Sequence, residues 1–149
     1  MQVWDYLGKV WNLPNTLIGL VFAIAGTFVG FGLGRPVQWR LGWNCIQITG
    51  SPLVTTAITL GNVVIYGVRV APEHPNRRLR FTPHGYTVAH EEYMHTLQGQ
   101  ILGPLYLPVH IVCGLWSCWH PPHPQFRCRV DRWHQANAME IGPMQGRIF

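Results

Sequence analysis

The N-terminal part of the chain is dominated by a long apolar stretch. No charged residue lies between Lys9 and Arg35, and residues 17–31 are apolar apart from one Thr. A helix of about 20 apolar residues can cross a bilayer, so residues 10–34 predict an apolar, Gly-rich helix. Three interpretations stay open: a membrane-associated segment, a helix buried in the protein's own core, or the signal peptide of an exported protein, cleaved near residues 23–25. The glycines at four-residue spacing, which lets a second helix approach closely, are Gly26, Gly30 and Gly34.

Between residues 43 and 70 the pattern becomes typical of strands. Polar and apolar residues alternate over residues 46–49, as in a half-buried strand. Two runs rich in β-branched residues follow at 54–60 and 63–68, and the Gly-Asn pair between them favours a tight turn. This part of the chain therefore predicts two or three antiparallel strands.

A helix is predicted over residues 86–102, where a Gly-Pro pair ends it. On a helical wheel His90 falls on an apolar face, which we expect to point toward the core. Glu91 and His95 share the neighbouring face, with Glu92 beyond it. The other members of the apolar face are Met94, Leu97 and Ile101.

The C-terminal third is less regular. A second apolar segment covers residues 109–116, and residues 121–149 are rich in Pro, Arg and Trp. A chain of 149 residues is long enough for one domain with a hydrophobic core. We predict a single α+β domain: an apolar N-terminal helix, a short antiparallel sheet, the helix over 86–102 and an irregular C-terminal segment.

Composition narrows the choice of environment. The chain is 48% hydrophobic but only 11% charged, and globular proteins average about 25% charged residues. So few charges indicate a membrane segment, a large apolar interface, or a surface rich in Gly and Pro. The net charge is +5, but the basic residues do not form a stripe interleaved with aromatic residues. This pattern argues against a nucleic-acid partner.

The cysteine spacing excludes one kind of metal site. The four cysteines contain no Cys-x-x-Cys pair, so the chain is not a zinc ribbon. A second metal site is conceivable where three cysteines and two histidines crowd residues 113–128, although a disulfide or buried thiols fit better. The residues of that segment are Cys113, Cys118, His120, His123 and Cys128, and the fourth cysteine is Cys45.

The helix over 86–102 carries a near match to a zinc-peptidase signature. That signature, His-Glu-x-x-His, places two zinc ligands at i and i+4 on one helix face and uses the Glu as general base. Here His90 and His95 are five residues apart, so on a regular helix they diverge by about 140°. Glu91 and His95 have the required spacing, and Glu92 then takes the place of the base. Alternatively, a π-bulge would bring His90 and His95 onto one face.

A catalytic zinc site needs three protein ligands and an open position. Asp and Glu total only 6 residues, and three of these lie in two short motifs, at Glu91, Glu92 and Glu140. We therefore predict a zinc site formed by Glu91, His95 and Glu140, with His90 as the alternative first ligand. Glu92 is the predicted catalytic residue, acting on a peptide or other acyl carbonyl. A helix that binds nothing remains the alternative.

The motif helix and the segment after it resemble a family of small, mostly uncharacterised bacterial proteins similar to zinc metallopeptidases. Members carry a His-Glu-x-x-His-Thr-x-Gln helix that runs into Leu-Gly-Pro-Leu-Tyr-Leu-Pro, and residues 90–108 are similar to that pattern. The resemblance extends to residues 12–20, 57–64 and 133–143.

The resemblance implies a compact metallopeptidase-like fold in which Glu92 is the base and His95 and Glu140 are the second and third ligands. The chain departs from the family at the first ligand. The family reads Glu-His-Glu-x-x-His, whereas His90 and Glu91 stand here in exchanged order. A Glu in place of that His adds negative charge to the metal shell, which makes zinc-bound water a weaker acid.

Two hypotheses follow. The first is a zinc-dependent hydrolase whose activity is impaired by the altered first ligand. The second is a non-catalytic, membrane-associated interaction protein built on a degenerate peptidase scaffold. The exchanged residues and the uncharged N-terminal segment support the second hypothesis.

Overall fold

The computed structural model describes residues 3–68, 70, 87–120 and 129–149 of the chain. The helices are α1 (Val3–Trp11), α2 (Leu13–Gly32), α3 (Val88–Leu102), α4 (Tyr106–Trp119), α5 (Arg129–Ala136) and α6 (Ala138–Met144). The strands are β1 (Gln38–Gly42), β2 (Cys45–Ser51), β3 (Ala57–Leu60) and β4 (Val63–Gly67). A single 3₁₀ turn, Gly103–Leu105, joins α3 to α4. The predicted α+β class is confirmed.

The strands form one mixed sheet in the order β1-β2-β4-β3. The β1–β2 and β3–β4 pairs are antiparallel, and the second pair turns at Gly61-Asn62 as predicted, with Gly61 at φ +67°. The central pair, β2 with β4, is parallel and pairs Ile48 with Ile65. The prediction of a purely antiparallel sheet was therefore wrong. After β2 the chain forms β3 at the edge of the sheet, reverses, and returns as β4, which pairs beside β2 and runs in the same direction. Strand β1 was not predicted.

Helix α2 packs on one face of the sheet through small and polar residues. A Cβ atom on Gly26 would lie 2.6 Å from Ser51 Oγ, and one on Gly30 would lie 2.6 Å from Val37 Cγ2. At these two glycines the close neighbours of α2 are therefore residues of the sheet and its loops rather than a second helix. Gly34 lies beyond the end of α2, and a Cβ atom there would have no neighbour within 4 Å. The buried residues of α2 are Asn15, Thr16, Gly19, Ala23, Gly26 and Gly30.

Two apolar clusters lie on opposite faces of the sheet. Ala23 of α2 packs with Ile48, Val63 and Ile65 on one face. On the other face the buried residues are Cys45, Val64, Tyr66 and Val70, with Val88 and Ala89 of α3 packed against them. Alternate residues of a strand point to opposite faces, so the sheet is covered by α2 on one side and by α3 on the other.

The C-terminal segment is helical over Arg129–Ala136 and Ala138–Met144, so the prediction of an irregular segment was wrong there. Asn137 caps α6, since its side chain accepts a hydrogen bond of 3.0 Å from the Met139 N–H. The helix that starts there carries Glu140 in its first turn. Residues 121–128 lie outside the described residues, as do residues 71–86.

The outer faces of the helices are unusually apolar. Two helical stretches, Leu13–Gly32 and Val88–Trp119, are long and apolar enough to cross a membrane by length and composition. The first has one face covered by the sheet, and the second combines α3, the 3₁₀ turn and α4. The large exposed apolar side chains include Trp4, Leu7 and Val10 of α1, Leu17, Val21, Phe28 and Phe31 of α2, and Val112, Leu115, Trp116 and Trp119 of α4.

Only residues 113–120 of the cysteine-rich segment 113–128 belong to the described part of the chain. No disulfide joins Cys45, Cys113 and Cys118 to one another. Within the described ranges, no group of three metal-ligating side chains forms around Cys113, Cys118 and His120. His123 and Cys128 lie outside the described residues.

Candidate metal centre

Helix α3 is a regular α-helix from Val88 to Leu102. Thr87 caps it by accepting a hydrogen bond of 3.2 Å from the His90 N–H. The π-bulge hypothesis was therefore wrong, and His90 lies beside Trp43, with ring centroids 6.5 Å apart, rather than beside His95.

The buried face of α3 is the polar one. The wheel placed the face of His90 and Ile101 toward the core, but Ile101 is 56% exposed. The buried residues of α3 are Glu91, Glu92, His95, Thr96, Gln98 and Gly99. Burying two carboxyl groups and an imidazole on one helix costs free energy unless each group has a partner. The contacts of these three side chains must therefore account for their burial.

Glu91, His95 and Glu140 converge as the sequence predicted. One potential ligand atom from each residue lies within 4.8 Å of the other two, and all three residues are buried. His95 Nε2 lies 3.3 Å from Glu140 Oε2. Zinc–nitrogen and zinc–oxygen bonds of about 2.0–2.1 Å in a tetrahedron separate neighbouring ligands by about 3.3 Å. The spacing of these two atoms therefore suits two ligands of one ion.

Gln98 fixes the orientation of the His95 ring. The Gln98 side-chain N–H₂ donates to the carbonyl oxygens of Met139 at 2.9 Å and Ile148 at 2.5 Å. Its Oε1 must therefore accept, and it lies 2.9 Å from His95 Nδ1. This contact places a proton on Nδ1 and leaves Nε2 facing Glu140. A metal-ligating His is commonly held in this way by a hydrogen bond at its other nitrogen.

Glu140 is surrounded by imidazoles. His110 Nε2 of α4 lies 3.0 Å from Oε1, and His134 Nδ1 of α5 lies 3.1 Å from Oε2, the oxygen that also faces His95. Burial would raise the pKa of Glu140, but the hydrogen bonds from His110, His134 and His95 hold that pKa well below its usual range. Glu140 is therefore a carboxylate, as a metal ligand must be.

His95 is the positive partner of this carboxylate. Burial would lower the pKa of His95, but the hydrogen bond to Glu140 and the charge of Glu140 raise it to about 9. The proton on Nε2 and a metal ion would occupy the same position between the two side chains. Metal binding here would therefore release that proton.

Glu91 is the least satisfied member of the cluster. Its Oε1 atom is buried and has no hydrogen-bond partner among the described residues. Its nearest cationic neighbour is His134, whose Nε2 lies 3.8 Å away, and burial raises the pKa of Glu91. An unpaired buried carboxylate oxygen of this kind is the atom that a cation would satisfy.

Glu92 stands apart from the three predicted ligands. Thr59 of β3 donates its hydroxyl proton to Glu92 Oε2 at 2.6 Å, and its oxygen also lies 3.1 Å from the Glu92 carbonyl oxygen. Burial raises the pKa of Glu92 to about 7 against the lowering effects of His95 and Thr59. A carboxyl group with such a pKa can exchange a proton near neutral pH, which is what a general base requires.

The cluster opens into a cavity of about 970 Å³. Its walls come from α2, from residues 53–60, and from α3, α4, α5 and α6. Apolar residues predominate in these walls, among them Phe22, Leu53, Val54, Ile58, Leu107 and Ile111. Glu91, Glu92, His95 and Glu140 also line it, so the three predicted ligands and the predicted base face the same cavity.

Sequence reasoning found the carboxylates and His95 but assigned no role to His110, His134 or Thr59. A lone His in the otherwise apolar segment 109–116 was a usable signal for His110. His134 stands close to Glu140 in the same short motif. The hydroxyl of Thr59 lay within a run that predicted only a strand.

Comparison of the chain with protein-family models, curated proteins and solved structures finds no match. The resemblance to metallopeptidase-like bacterial proteins therefore stays a prediction.

Proposed function

We propose that the protein is a zinc-dependent hydrolase that cleaves a peptide or other acyl bond. The observation that supports this most strongly is the convergence of Glu91, His95 and Glu140 beside a third buried carboxyl group, Glu92, in one cavity. Three ligands and a separate base are the protein groups that such chemistry requires.

The donor set fits a divalent cation. Two carboxylates and an imidazole are all accepted zinc ligands, and two negative charges balance a dication. The buried Oε1 of Glu91, which has no hydrogen-bond partner among the described residues, would gain one. Glu140 is held as a carboxylate, and Gln98 directs His95 Nε2 toward the same point.

Each residue has a definable task in hydrolysis. Zinc, when bound, supplies Lewis-acid polarisation of the reacting carbonyl group. Glu92 accepts a proton from the attacking water, and Thr59 holds the Glu92 carboxyl group in one orientation. The apolar walls of the cavity bind an uncharged part of the substrate and exclude bulk water.

The first experiment is metal analysis by mass spectrometry on protein purified without a His tag. We expect about one zinc per chain, lost in His95→Ala. Glu92→Gln should retain the metal and lose hydrolysis of an acyl substrate, since the amide cannot accept the proton. Absence of metal from the wild type after incubation with zinc would refute the proposed site. Full activity of Glu92→Gln would refute the role of Glu92.

A second candidate function, association with a lipid surface, is favoured by the distribution of apolar side chains. In α2 the small residues pack on the sheet, whereas Val21 at 69%, Phe28 at 72% and Phe31 at 85% exposure face outward. Small residues inside and large apolar residues outside are typical of helices in contact with lipid. Exposed Trp4 and Trp116 add side chains that favour the membrane interface.

Vesicle flotation tests this second function. We expect the wild type to float with neutral vesicles and a Val21→Ser, Phe28→Ser double variant to float less. The control is Thr55→Ser, at an exposed polar position outside α2. A wild type that stays monomeric in solution without detergent and does not float would rule the association out. The association is compatible with hydrolysis and does not require loss of the metal site.

A further inference from the structure

We propose that the apolar part of the cavity binds the alkyl chain of an uncharged membrane lipid, with the acyl carbonyl group of that lipid at the metal site. The proposal rests on the proposed hydrolase function and on the lipid association proposed beside it, and it names the substrate class as a long-chain acyl ester. Three observations carry it: which lining residues are exposed, which charges line the cavity, and which helices border it.

The exposed residues of the lining are apolar, apart from Thr55 and His134. Leu53 is 42% exposed, Ile58 is 38% exposed and Ile111 is 48% exposed. A residue that lines a cavity and is also exposed lies where the cavity opens to its surroundings. The cavity therefore opens largely through apolar side chains, whereas the side chains of the three proposed metal ligands are at most 8% exposed.

His134 is the polar exception at the metal site itself. Its Nδ1 atom lies 3.1 Å from Glu140 Oε2, and its side chain is 56% exposed. The polar cluster therefore has an exposed margin of its own, where the alcohol part of an ester has access to water. A molecule with an apolar chain on one side of its carbonyl group and a polar alcohol on the other matches this arrangement.

The charges of the lining favour an uncharged substrate. Among the described residues that line the cavity there is no Lys or Arg, and three are acidic, at Glu91, Glu92 and Glu140. A phosphate or carboxylate group of a substrate would therefore lie beside three carboxyl groups and find no Lys or Arg to pair with. Burying such a charge without a partner costs free energy.

An alkyl chain suits the apolar lining better than a peptide does. Each peptide residue brings backbone N–H and C=O groups that need hydrogen-bond partners when buried, and the side chains of Phe22, Leu107 and Ile111 supply none. An alkyl chain has no polar group to satisfy, and its affinity rises about fourfold for each methylene removed from water. The volume of about 970 Å³ lies at the upper end of the range of roughly 300–1,000 Å³ found for ligand sites.

The apolar part of the cavity borders the outer faces of two helices. Phe22 of α2 follows Val21, which is 69% exposed, and Ile111 of α4 lies one helical turn from Leu115, which is 43% exposed. Both helices belong to stretches that are long and apolar enough to cross a membrane by length and composition. A membrane is therefore the source of the lipid, because the alkyl chain reaches the opening along apolar side chains without entering water.

Hydrolysis of such an ester uses only water and the groups already described. The water oxygen bonds to the acyl carbon, and the bond between that carbon and the ester oxygen breaks. Glu92 accepts one proton from the water and returns it to the leaving alkoxide, so a fatty acid and an alcohol are released.

The first test measures alkyl-chain binding by the metal-free protein and so does not depend on the metal site. Butanol, octanol and dodecanol compete with phenylnaphthylamine, an uncharged apolar fluorophore. We expect binding to strengthen about fourfold for each added methylene until the cavity is filled. Ile111→Ser should weaken octanol binding at least threefold. The matched control is Val112→Ser, at the next residue of α4, which is 65% exposed and outside the lining, and it should bind octanol as the wild type does.

The second test measures hydrolysis by the zinc-loaded protein. Soluble acetyl and octanoyl esters of para-nitrophenol give the ratio of the two kcat/KM values, with Glu92→Gln as the background. Ile111→Ser should lower the octanoyl-to-acetyl ratio at least threefold, and Val112→Ser should leave that ratio unchanged. Oleoylglycerol in phosphatidylcholine vesicles tests the membrane as the source, and an apolar dipeptide amide tests the peptide alternative.

The outcomes separate this proposal from the proposed function. Equal affinity for butanol and dodecanol, or equal losses in Ile111→Ser and Val112→Ser, would overturn the alkyl-chain site whether or not metal binds. Cleavage of the dipeptide amide or the soluble esters, but not of oleoylglycerol, would overturn the lipid substrate and leave the hydrolase in place. A protein that cleaves none of them would overturn both. Chain-length-dependent binding that is lost only in Ile111→Ser, together with release of oleic acid from vesicles, would establish the lipid substrate.

Discussion

Gln98 provides the sharpest test of how the site is assembled. Its side chain is 0% exposed and makes three hydrogen bonds, one to His95 within α3 and two that join α3 to the C-terminal segment. Replacing it with Met keeps the length and volume of the side chain but removes all three bonds. The carbonyl groups of Met139 and Ile148 and the Nδ1–H of His95 then lose their partner.

The expected cost follows from these contacts. A hydrogen bond in a folded protein contributes about 1 kcal/mol net, and a buried group left without a partner costs about 1–3 kcal/mol. Three lost bonds therefore predict a loss of about 3 kcal/mol in the free energy of unfolding. For a chain of this size, about 2–4 °C in Tm per kcal/mol gives a decrease of roughly 6–12 °C. The assay is urea and thermal unfolding of the metal-free protein.

Gln100→Met is the matched control, because Gln100 lies two residues further along α3 and is only half-buried. Its side chain donates one hydrogen bond of 3.0 Å to Asn62 Oδ1, so we expect a loss of about 1 kcal/mol. Gln98→Met should in addition weaken zinc binding about 10–100-fold, as the loss of a residue that orients a ligand does. Equal stability of the two variants, or unchanged zinc affinity in Gln98→Met, would refute this account.

Three further predictions concern other parts of the fold. Gly19→Ala should lower the free energy of unfolding by about 1–3 kcal/mol, because its Cβ would overlap the β3 backbone. Gly32→Ala, at the end of the same helix with open space around it, should be neutral or stabilising by up to about 1 kcal/mol; equal losses would contradict the close packing of α2. Thr59→Val should lower the free energy of unfolding by about 1.5–3 kcal/mol, because it removes the hydrogen bond to the Glu92 carboxyl group. Thr59→Ser keeps the hydroxyl group and should retain most of that stability in urea unfolding. Burial raises the pKa of Cys45 to about 11, so its thiolate forms only as the pH approaches that value. Peptide mapping after iodoacetamide treatment at pH 8 should show Cys45 labelled at least tenfold more slowly than the α4 cysteines, and equal rates would exclude its burial.

Local signals accounted for the secondary structure of α3 and of one hairpin. The cap at Thr87 and the Gly-Pro pair after Leu102 lie next to the helix in sequence, so the pattern predicted its limits closely. The turn at Gly61-Asn62 was predicted for the same reason. The parallel pairing of β2 with β4 depends on how the intervening chain folds back, and no short pattern reports that.

Some residues of the candidate site were also predictable from local sequence patterns, and others were not. Glu91 and His95 were predictable as a pair because the spacing of four residues puts them on one helical face. Glu140 could be proposed because acidic residues are scarce in this chain. His110 and His134 reach Glu140 only because α4 and α5 pack around α6, and the sequence carries no periodicity that links them.

The sequence by itself determined where α2, α3 and strands β2 to β4 form, which carboxylates and which His share a helix face, and that the chain has an excess of apolar residues. Only the tertiary structure decided which faces are buried. Hydrophobic periodicity predicted that the apolar face of α3 points inward, yet its polar face is buried. Glu92 and His95 find hydrogen-bond partners on β3 and α6, and Glu91 lies 3.8 Å from His134 of α5. Helix α2 likewise buries Gly and Ala and leaves its large side chains outside, because close packing on the sheet leaves no room for a Cβ at Gly19 or Gly26. Burial depends on contacts between residues far apart in the chain, which a local pattern does not encode.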